Sequence, residues 1–341
     1  MADAPPRRPG RVLAFVVTLA LVAGAGAAGL NVAVRRTVGS VTRAADATES
    51  LSPSNGRFVN YLLVGSDSRE GASESDADFA VVGDEGDVSG RRSDTLMILH
   101  HDLGAGTLSL LSVPRDLWVK IGDGEKSQRV NTAYQLGRDV LVRTVQNALG
   151  IPVHHYLEVD FRGFKTIVDA VGGVEVCVEH LSRDRNTGLY LRPGCHRLDG
   201  VRALAYARSR KFEERIGDEW VRDGTGDLGR ATRQRTFVGA LARSAVSGIA
   251  DNPFRAGLAA GEGLSALVTD EELNLVAMAR SLAPSMAGGV GSFSLPVVFD
   301  RVGEASVLRL GTGSDAVLAY FAGEGPAPAQ DGEDPEEPAE G

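Results

Sequence analysis

An α/β fold with helices on the faces of a sheet is what this 341-residue sequence predicts, on three observations. Short apolar runs bounded by glycine or turn residues read as buried strands: 58–65 (FVNYLLVG), 95–100 (TLMILH) and 107–113 (TLSLLSV). Helical and strand-like stretches alternate afterwards, including a helix over 161–171 closed by Gly172 and Gly173 and followed by a strand over 174–178. The composition, 43% hydrophobic and 24% charged, is that of a globular chain long enough to bury a substantial core.

The chain divides by composition. Residues 12–34 carry no charge and are long enough to cross a bilayer core of about 30 Å. Small residues at 23–28 offer cleavage sites, so a removable signal peptide is the alternative. Because the apolar stretch continues past those sites, an uncleaved signal-anchor is preferred, with 1–11 as a short cytoplasmic segment. Arginines 7, 8 and 11 face arginines 35, 36 and 43 across the span, so charge alone does not orient it. Residues 35–56 are small and polar and read as a linker. One domain, without internal repeats, is expected over 57–323. Residues 324–341 hold seven of the acids behind the net charge of −9, and with four prolines they read as a disordered tail.

Each of the first three strands carries an Asp/Arg pair at an end. Ser66-Asp67-Ser68-Arg69 follows 58–65, Arg91-Arg92-Ser93-Asp94 precedes 95–100, and Pro114-Arg115-Asp116 follows 107–113. One such pair is ordinarily a surface ion pair worth about 0–1 kcal/mol. Three in succession suggest a convergent site, because α/β proteins place ligands outside strand ends. Between the first two, 70–90 is acidic and Gly-rich and reads as a loop.

Further along, a helix with apolar positions Val140, Leu141, Val145, Ala148 and Leu149 stops at Gly150. His154 and His155 precede a strand at 156–159; neighbours on a strand face opposite ways, so both are read as structural. Cys177 lies in a strand-like run and Cys195 in a turn, and in an exported chain the two can pair. Asp199 is placed to cap a helix over 200–208. A charged loop is expected over 211–226, a long helix over 230–246, helices over 258–267 and 271–282, and a strand over 293–298.

The stretch 206–237 (YARSRKFEERIGDEWVRDGTGDLGRATRQRTF) concentrates positive charge in an acidic chain. A helix starting near Gly229 puts Arg230, Arg233 and Gln234 on one face of its first turns, where free N–H groups and the dipole already favour an anion. With four lysines against 32 arginines in the chain, arginine richness alone decides little; placement does.

Seven blocks in order, NYLLVGSDSR, RRSDTLMIL, LLSVPRDLWV, VNTAY, VDFRGFKTIVDAVGGV, LDGVRALAYARSR and DLGRATRQR, closely resemble those of LytR-CpsA-Psr proteins. The anchor, linker and domain layout resembles that family too, and the cysteine pair resembles that of its actinobacterial members. The resemblance implies a three-layer α/β/α sandwich around a central mixed sheet. It implies a phosphotransferase that attaches a polyprenyl-pyrophosphate-linked glycopolymer to peptidoglycan outside the cell membrane. By motif position Asp67 and Asp94 would hold Mg2+ (or Mn2+), and Arg69, Arg92, Arg115, Arg208, Arg210, Arg230, Arg233 and Gln234 would line the pyrophosphate. Asp67, Asp94, Arg115 and Arg210 would form the catalytic set, whereas Arg215, Arg222 and Arg235 are expected in solvent. The loop between Asp67 and Asp94 is long and acidic for the family, which leaves the metal geometry open.

The chemistry of these residue types agrees. Phosphoryl transfer asks a protein mainly for positioning and charge neutralisation. Magnesium takes one or two carboxylates plus phosphate oxygens, and arginine's fork matches phosphate while staying charged. A polyprenyl chain would need an apolar groove between sheet and helices, for which Phe161, Phe164 and Phe237 are candidates if they are not plain core. Asp116 or a metal-bound water could take the acceptor's proton. A lipid-pyrophosphate hydrolase would use the same site, and a non-catalytic wall-binding protein the same ligand. A membrane-bound transcriptional attenuator would exploit the arginines, but they lie on the exported side and no helix-turn-helix is evident, so no nucleic-acid partner is expected.

Overall fold

The structure, a computed structural model, describes residues 41–66, 93–223, 227–251, 267–286 and 288–330. In chain order the elements begin with β1 (Thr42–Arg43), α1 (Ala45–Thr48), β2 (Phe58–Ser66), β3 (Ser93–Asp102), β4 (Thr107–Ser112), β5 (Trp118–Lys120) and β6 (Ser127–Arg129). Next come α2 (Thr132–Leu136), α3 (Arg138–Leu149), β7 (His155–Val159), α4 (Phe161–Ala170), β8 (Val174–Val178), β9 (Leu181–Asp184), β10 (Leu189–Leu191), β11 (Gly194–Leu198) and α5 (Gly200–Arg208). The chain continues through β12 (Glu213–Ile216), β13 (Glu219–Arg222), α6 (Asp227–Asp251), β14 (Leu267–Thr269), α7 (Leu275–Met286), β15 (Val290–Ser294), β16 (Val297–Val302), β17 (Ala305–Leu310) and α8 (Ser314–Phe321).

A central mixed sheet runs β1-β14-β7-β2-β3-β4-β15. β2 pairs parallel with β7 and antiparallel with β3, and β3 pairs antiparallel with β4. The period-2 alternation of β2 sends its side chains to two clusters. Leu62 and Val64 join Ile98, Leu111 and the α3 residues Leu141, Val142 and Val145. Tyr61 and Leu63 join Leu157 and the α7 residues Leu275, Met278 and Leu282. Helices therefore cover both faces of the sheet. A third cluster, from α4, α5, α6 and the β8–β11 region, includes Val168, Leu198, Tyr206 and Phe237.

Local sequence explains several boundaries. Asp160 accepts from the Gly163 N–H at 2.7 Å to start α4, and Asp199 accepts from the Arg202 N–H at 2.9 Å to start α5. Gly150, at φ +68°, ends α3 in the left-handed conformation that favours glycine.

Other expectations are corrected. Residues 41–56 are not a free linker: β1 pairs with β14, Ala44 and Ala47 are buried, and the Arg43 guanidinium donates to Thr269 Oγ1, Asp270 O and Leu273 O, each at 2.9 Å. Strand β8 stands outside the central sheet, paired with β11. Cys195 lies in β11, directly across from Cys177, and the two form a disulfide. The charged loop after Lys211 contains the hairpin β12–β13, turning at Gly217. The long helix starts at Asp227, earlier than Gly229. The helix expected over 271–282 starts later, at Leu275, and the strand expected over 293–298 divides into β15 and β16 around Leu295 and Pro296. The span at 12–34, the loop at 70–90, the tail beyond 330 and nearly all of the helix expected over 258–267 lie outside the described residues. Among the described residues no helix is long and apolar enough to cross a membrane.

Candidate functional site

Strand directions bring the ends of β2 and β4 and the start of β3 to one edge. Antiparallel pairing sets Ser66 at the end of β2 opposite Ser93 at the start of β3, and Met97 of β3 opposite Ser112 at the end of β4. The end of parallel β7 arrives at the same edge, with Val159 beside Gly65. Asp94 is the second residue of β3, and Arg115 and Asp116 follow β4. Asp67, Arg69 and Arg92 lie outside the described residues, adjoining Ser66 and Ser93 in sequence.

Beside this edge is a cavity of about 590 Å³ between the sheet and helices α4, α5 and α6. Leu63, Met97 and Leu157 form its floor, and Phe161, Phe164, Ile167, Leu204, Phe237 and Leu241 face them. Arg115, Arg208, Arg210, Arg230 and Gln234 line the same cavity. The Arg208 guanidinium stacks over the Phe161 ring at 4.3 Å, so one side chain joins the cationic and aromatic parts. Arg230 is buried at 4% exposure, a setting that calls for an anion or polar partners.

The segment Ala207–Lys211, which presents Arg208 and Arg210, is clamped through its backbone from two elements. From β9, the buried Asp184 carboxylate accepts from Ser209 Oγ at 2.7 Å and from the N–H groups of Arg210 and Lys211 at 3.1 and 2.9 Å. From α6, Gln234 Nε2 donates to Ala207 O at 3.1 Å and Arg233 Nη2 to Ser209 O at 2.8 Å. Burial alone would raise the Asp184 pKa, but the hydrogen bonds from Ser209, Lys211, Asn186 and Thr187 outweigh it and hold the carboxyl below its ordinary value.

The sequence-predicted residues therefore separate. Arg115, Arg208, Arg210, Arg230 and Gln234 share the cavity. Arg233 does not line it: Nη1 pairs with Asp223 Oδ2 at 2.6 Å and the guanidinium lies over Phe212, so it braces the Arg208–Arg210 turn. Arg215 and Arg222 are exposed on the β12–β13 hairpin. Arg235, expected in solvent, is buried and donates from Nε to Ser292 Oγ at 3.0 Å, because α6 packs against β15 on that side.

Asp184 and Glu158 stand outside the sequence-predicted set. Glu158 lines the cavity and accepts from Tyr134 Oη at 2.6 Å, Tyr156 Oη at 2.8 Å and Arg138 Nε at 2.7 Å. Burial pushes its pKa up, but Arg138 and the two phenols hold it below the ordinary carboxylate value. A lone acid in the apolar strand HYLEV was its signal. Asp184 had none, since the partners that tie it to the Arg208–Arg210 turn lie 25–27 residues away.

An oxygen-donor set of two carboxylates, as Asp67 and Asp94 offer by residue type, suits a hard divalent ion.

In sequence the chain is 37% identical over 254 residues to the probable cell wall biosynthesis protein LcpB of Corynebacterium glutamicum, covering 74% of this chain and 58% of that one. It is 38% identical over 172 residues to the polyisoprenyl-teichoic acid–peptidoglycan teichoic acid transferase TagV of Bacillus subtilis, covering 48% and 40%. The chain thus spans about half the length of the curated relatives it matches. In structure it resembles a LytR-Csp2A-Psr enzyme from Actinomyces oris with a TM-score of 0.61 at 25% identity, covering 83% and 96% of the two chains. B. subtilis TagV shares the fold with a TM-score of 0.58 at 24% identity, over 80% and 100%. The LytR_cpsA_psr family model matches residues 31–314, so the chain belongs to the LytR_cpsA_psr family.

Proposed function

We propose that this protein is a phosphotransferase that moves a glycopolymer from a polyprenyl pyrophosphate carrier onto peptidoglycan at the outer side of the cell membrane. The observation that carries this reading is the coincidence, in one cavity, of a deep apolar lining and four arginines, Arg115, Arg208, Arg210 and Arg230. Apolar volume suits an isoprenoid chain, and guanidinium groups suit the phosphates that terminate it. The names of LcpB and TagV, a cell wall biosynthesis protein and a teichoic acid–peptidoglycan transferase, support the same class of reaction. The helix layers on the two sheet faces support an α/β/α sandwich.

In this reading Arg115 and Arg210 neutralise charge on the transferred phosphate, with Arg208, Arg230 and Gln234 beside them and Arg69 and Arg92 adding charge from the segment next to β2 and β3. Arg233 acts through the turn it braces. Asp67 and Asp94 would hold Mg2+ (or Mn2+), which when bound supplies further neutralisation of the phosphate oxygens. The 12–34 span would anchor the domain at the membrane that carries the lipid, and the Cys177–Cys195 disulfide fits an oxidising compartment.

The test incubates the full-length protein in detergent with a lipid-linked pyrophosphate glycan, with and without peptidoglycan fragments. Covalent transfer to peptidoglycan is expected; lipid phosphate release without any transfer product would replace the ligase reading with a hydrolase. Reporter fusions at the C-terminus check the side of the membrane, and cytoplasmic reporter activity would overturn the envelope assignment.

A further inference from the structure

A second, much smaller cleft lies behind the arginines of the main cavity. Its volume is about 20 Å³, and it is enclosed by the turn after β4, the first turns of α6 and Leu308 of β17. Thr95, Arg115, Arg230 and Gln234 line both spaces, so these four residues are where the apolar cavity and the cleft meet. Asp116 lines only the cleft.

We propose that this cleft admits the acceptor sugar hydroxyl and that Asp116 takes its proton. The proposal rests on the lipid-pyrophosphate reading above. In phosphoryl transfer the attacking and leaving oxygens lie roughly in line through the phosphorus. With the isoprenoid chain in the large cavity, the leaving lipid phosphate departs towards it, and the nucleophile enters from the opposite side. Residues reached from both sides mark where the phosphorus sits, and they are Arg115, Arg230, Gln234 and Thr95. Room for a single water-sized group, about 10–15 Å³ at minimum, matches one hydroxyl and excludes a whole sugar ring, which would stay outside.

Asp116 is held in place for this role. Its carbonyl accepts from the Leu308 N–H at 3.0 Å. Its carboxylate oxygens lie 3.6 Å from Arg115 Nε and 3.3 Å from Arg129 Nε, one on each side. At 27% exposure the side chain is open enough to meet an incoming group. The acceptor oxygen forms a bond to the phosphorus bearing the glycopolymer, and its proton passes to an Asp116 carboxylate oxygen. The bond from that phosphorus to the bridging oxygen breaks, and its electron pair leaves with polyprenyl phosphate. No oxidant or further reactant is required.

The competing role for Asp116 is purely structural, tying Arg129 of β6 and the β16–β17 hairpin to the turn after β4. Two variants separate the roles: Asp116→Asn, which keeps shape but cannot take the proton, and Ala231→Met, which fills the cleft from α6 without touching the main cavity. Each is measured in the full-length protein in detergent for affinity towards geranylgeranyl pyrophosphate, melting temperature, and transfer of a lipid-linked glycan to peptidoglycan fragments. Asp116→Asn is expected to bind the pyrophosphate within about twofold of wild type, with transfer reduced by about 100-fold, the range of general-base catalysis. Ala231→Met is expected to raise KM for the acceptor with pyrophosphate affinity unchanged. Wild-type transfer by both variants, or parallel loss of pyrophosphate affinity, melting temperature and transfer in Asp116→Asn, would overturn the assignment. Failure of the wild type itself to bind the pyrophosphate would instead bring down the lipid-pyrophosphate reading, and this inference with it.

Discussion

The Asp184 carboxylate accepts the backbone N–H of Arg210 at 3.1 Å, so a buried acid on β9 sets the position of an arginine that lines the cavity. Asp184→Ala removes the acceptor from the Ser209 hydroxyl and from the N–H groups of Arg210, Lys211, Asn186 and Thr187 at once. Each buried donor left unsatisfied costs about 1–3 kcal/mol, so a clear fall in melting temperature is expected, with weaker pyrophosphate binding. Asp184→Asn, which keeps one acceptor oxygen, should lie between. Calorimetric melting with isothermal titration of geranylgeranyl pyrophosphate checks both, and an Asp184→Ala protein with unchanged affinity would refute the clamp.

Arg210 and Arg233 differ in kind although both were read from the sequence as pyrophosphate ligands. Arg210→Ala should lower pyrophosphate affinity by about 10- to 100-fold, the scale of one charged hydrogen bond. Arg233→Ala removes the partner of Ser209 O and of Asp223 and should lower melting temperature and affinity together. Equal melting temperatures for the two variants would count against the bracing role.

Acid should weaken the fold at the end of the sheet remote from the site. His100 and His154 are buried beside Asn60, which hydrogen-bonds both: Nδ1 of His100 lies 2.7 Å from Asn60 Oδ1, and Nδ1 of His154 accepts from the Asn60 N–H at 2.8 Å. Burial lowers both pKa values to about 4. The unfolded chain, with ordinary histidines near 6.5, then binds more protons than the fold between those values. Stability contributed by neutral histidine is therefore complete above about pH 7, falls as pH drops through 6.5, and is lost by about pH 4, on the order of a few kcal/mol for the pair. Melting temperatures measured from pH 7.5 to 4.5 should decline through this window; a flat profile would contradict it.

Reduction of Cys177–Cys195 should destabilise without disarming. The bridge closes an 18-residue separation, worth about 3 kcal/mol in the chain-entropy model. It joins β8 to β11, and neither cysteine lines the cavity. A reductant should lower the melting temperature by several degrees, while pyrophosphate affinity measured well below that temperature stays within about twofold.

Much of the fold was legible because it is local. Strand runs 58–65 and 107–113 declare themselves by hydrophobicity, Asp199 by its capping position, and the helix over 138–149 by its apolar face and terminal Gly150. The short pieces were not. β1 contributes two residues, whose place on β14 depends on chain more than 220 residues away. The β12–β13 hairpin is too polar to announce itself as sheet.

By itself the sequence determined the residue types of the site and their family: carboxylates and arginines at three strand ends, and an arginine-rich stretch over 206–237. Tertiary structure decided which of them act together. The antiparallel register of β2, β3 and β4 brings the strand ends to one edge, and the packing of α6 turns Arg230 and Gln234 to the cavity and leaves Arg233 as a brace. The same packing buries Arg235 against β15, and Asp184 on β9 clamps the turn from a second element. The physical reason is range: residue chemistry, periodicity and capping act within a few positions, whereas a shared cavity is made by backbones that meet only after the chain has folded.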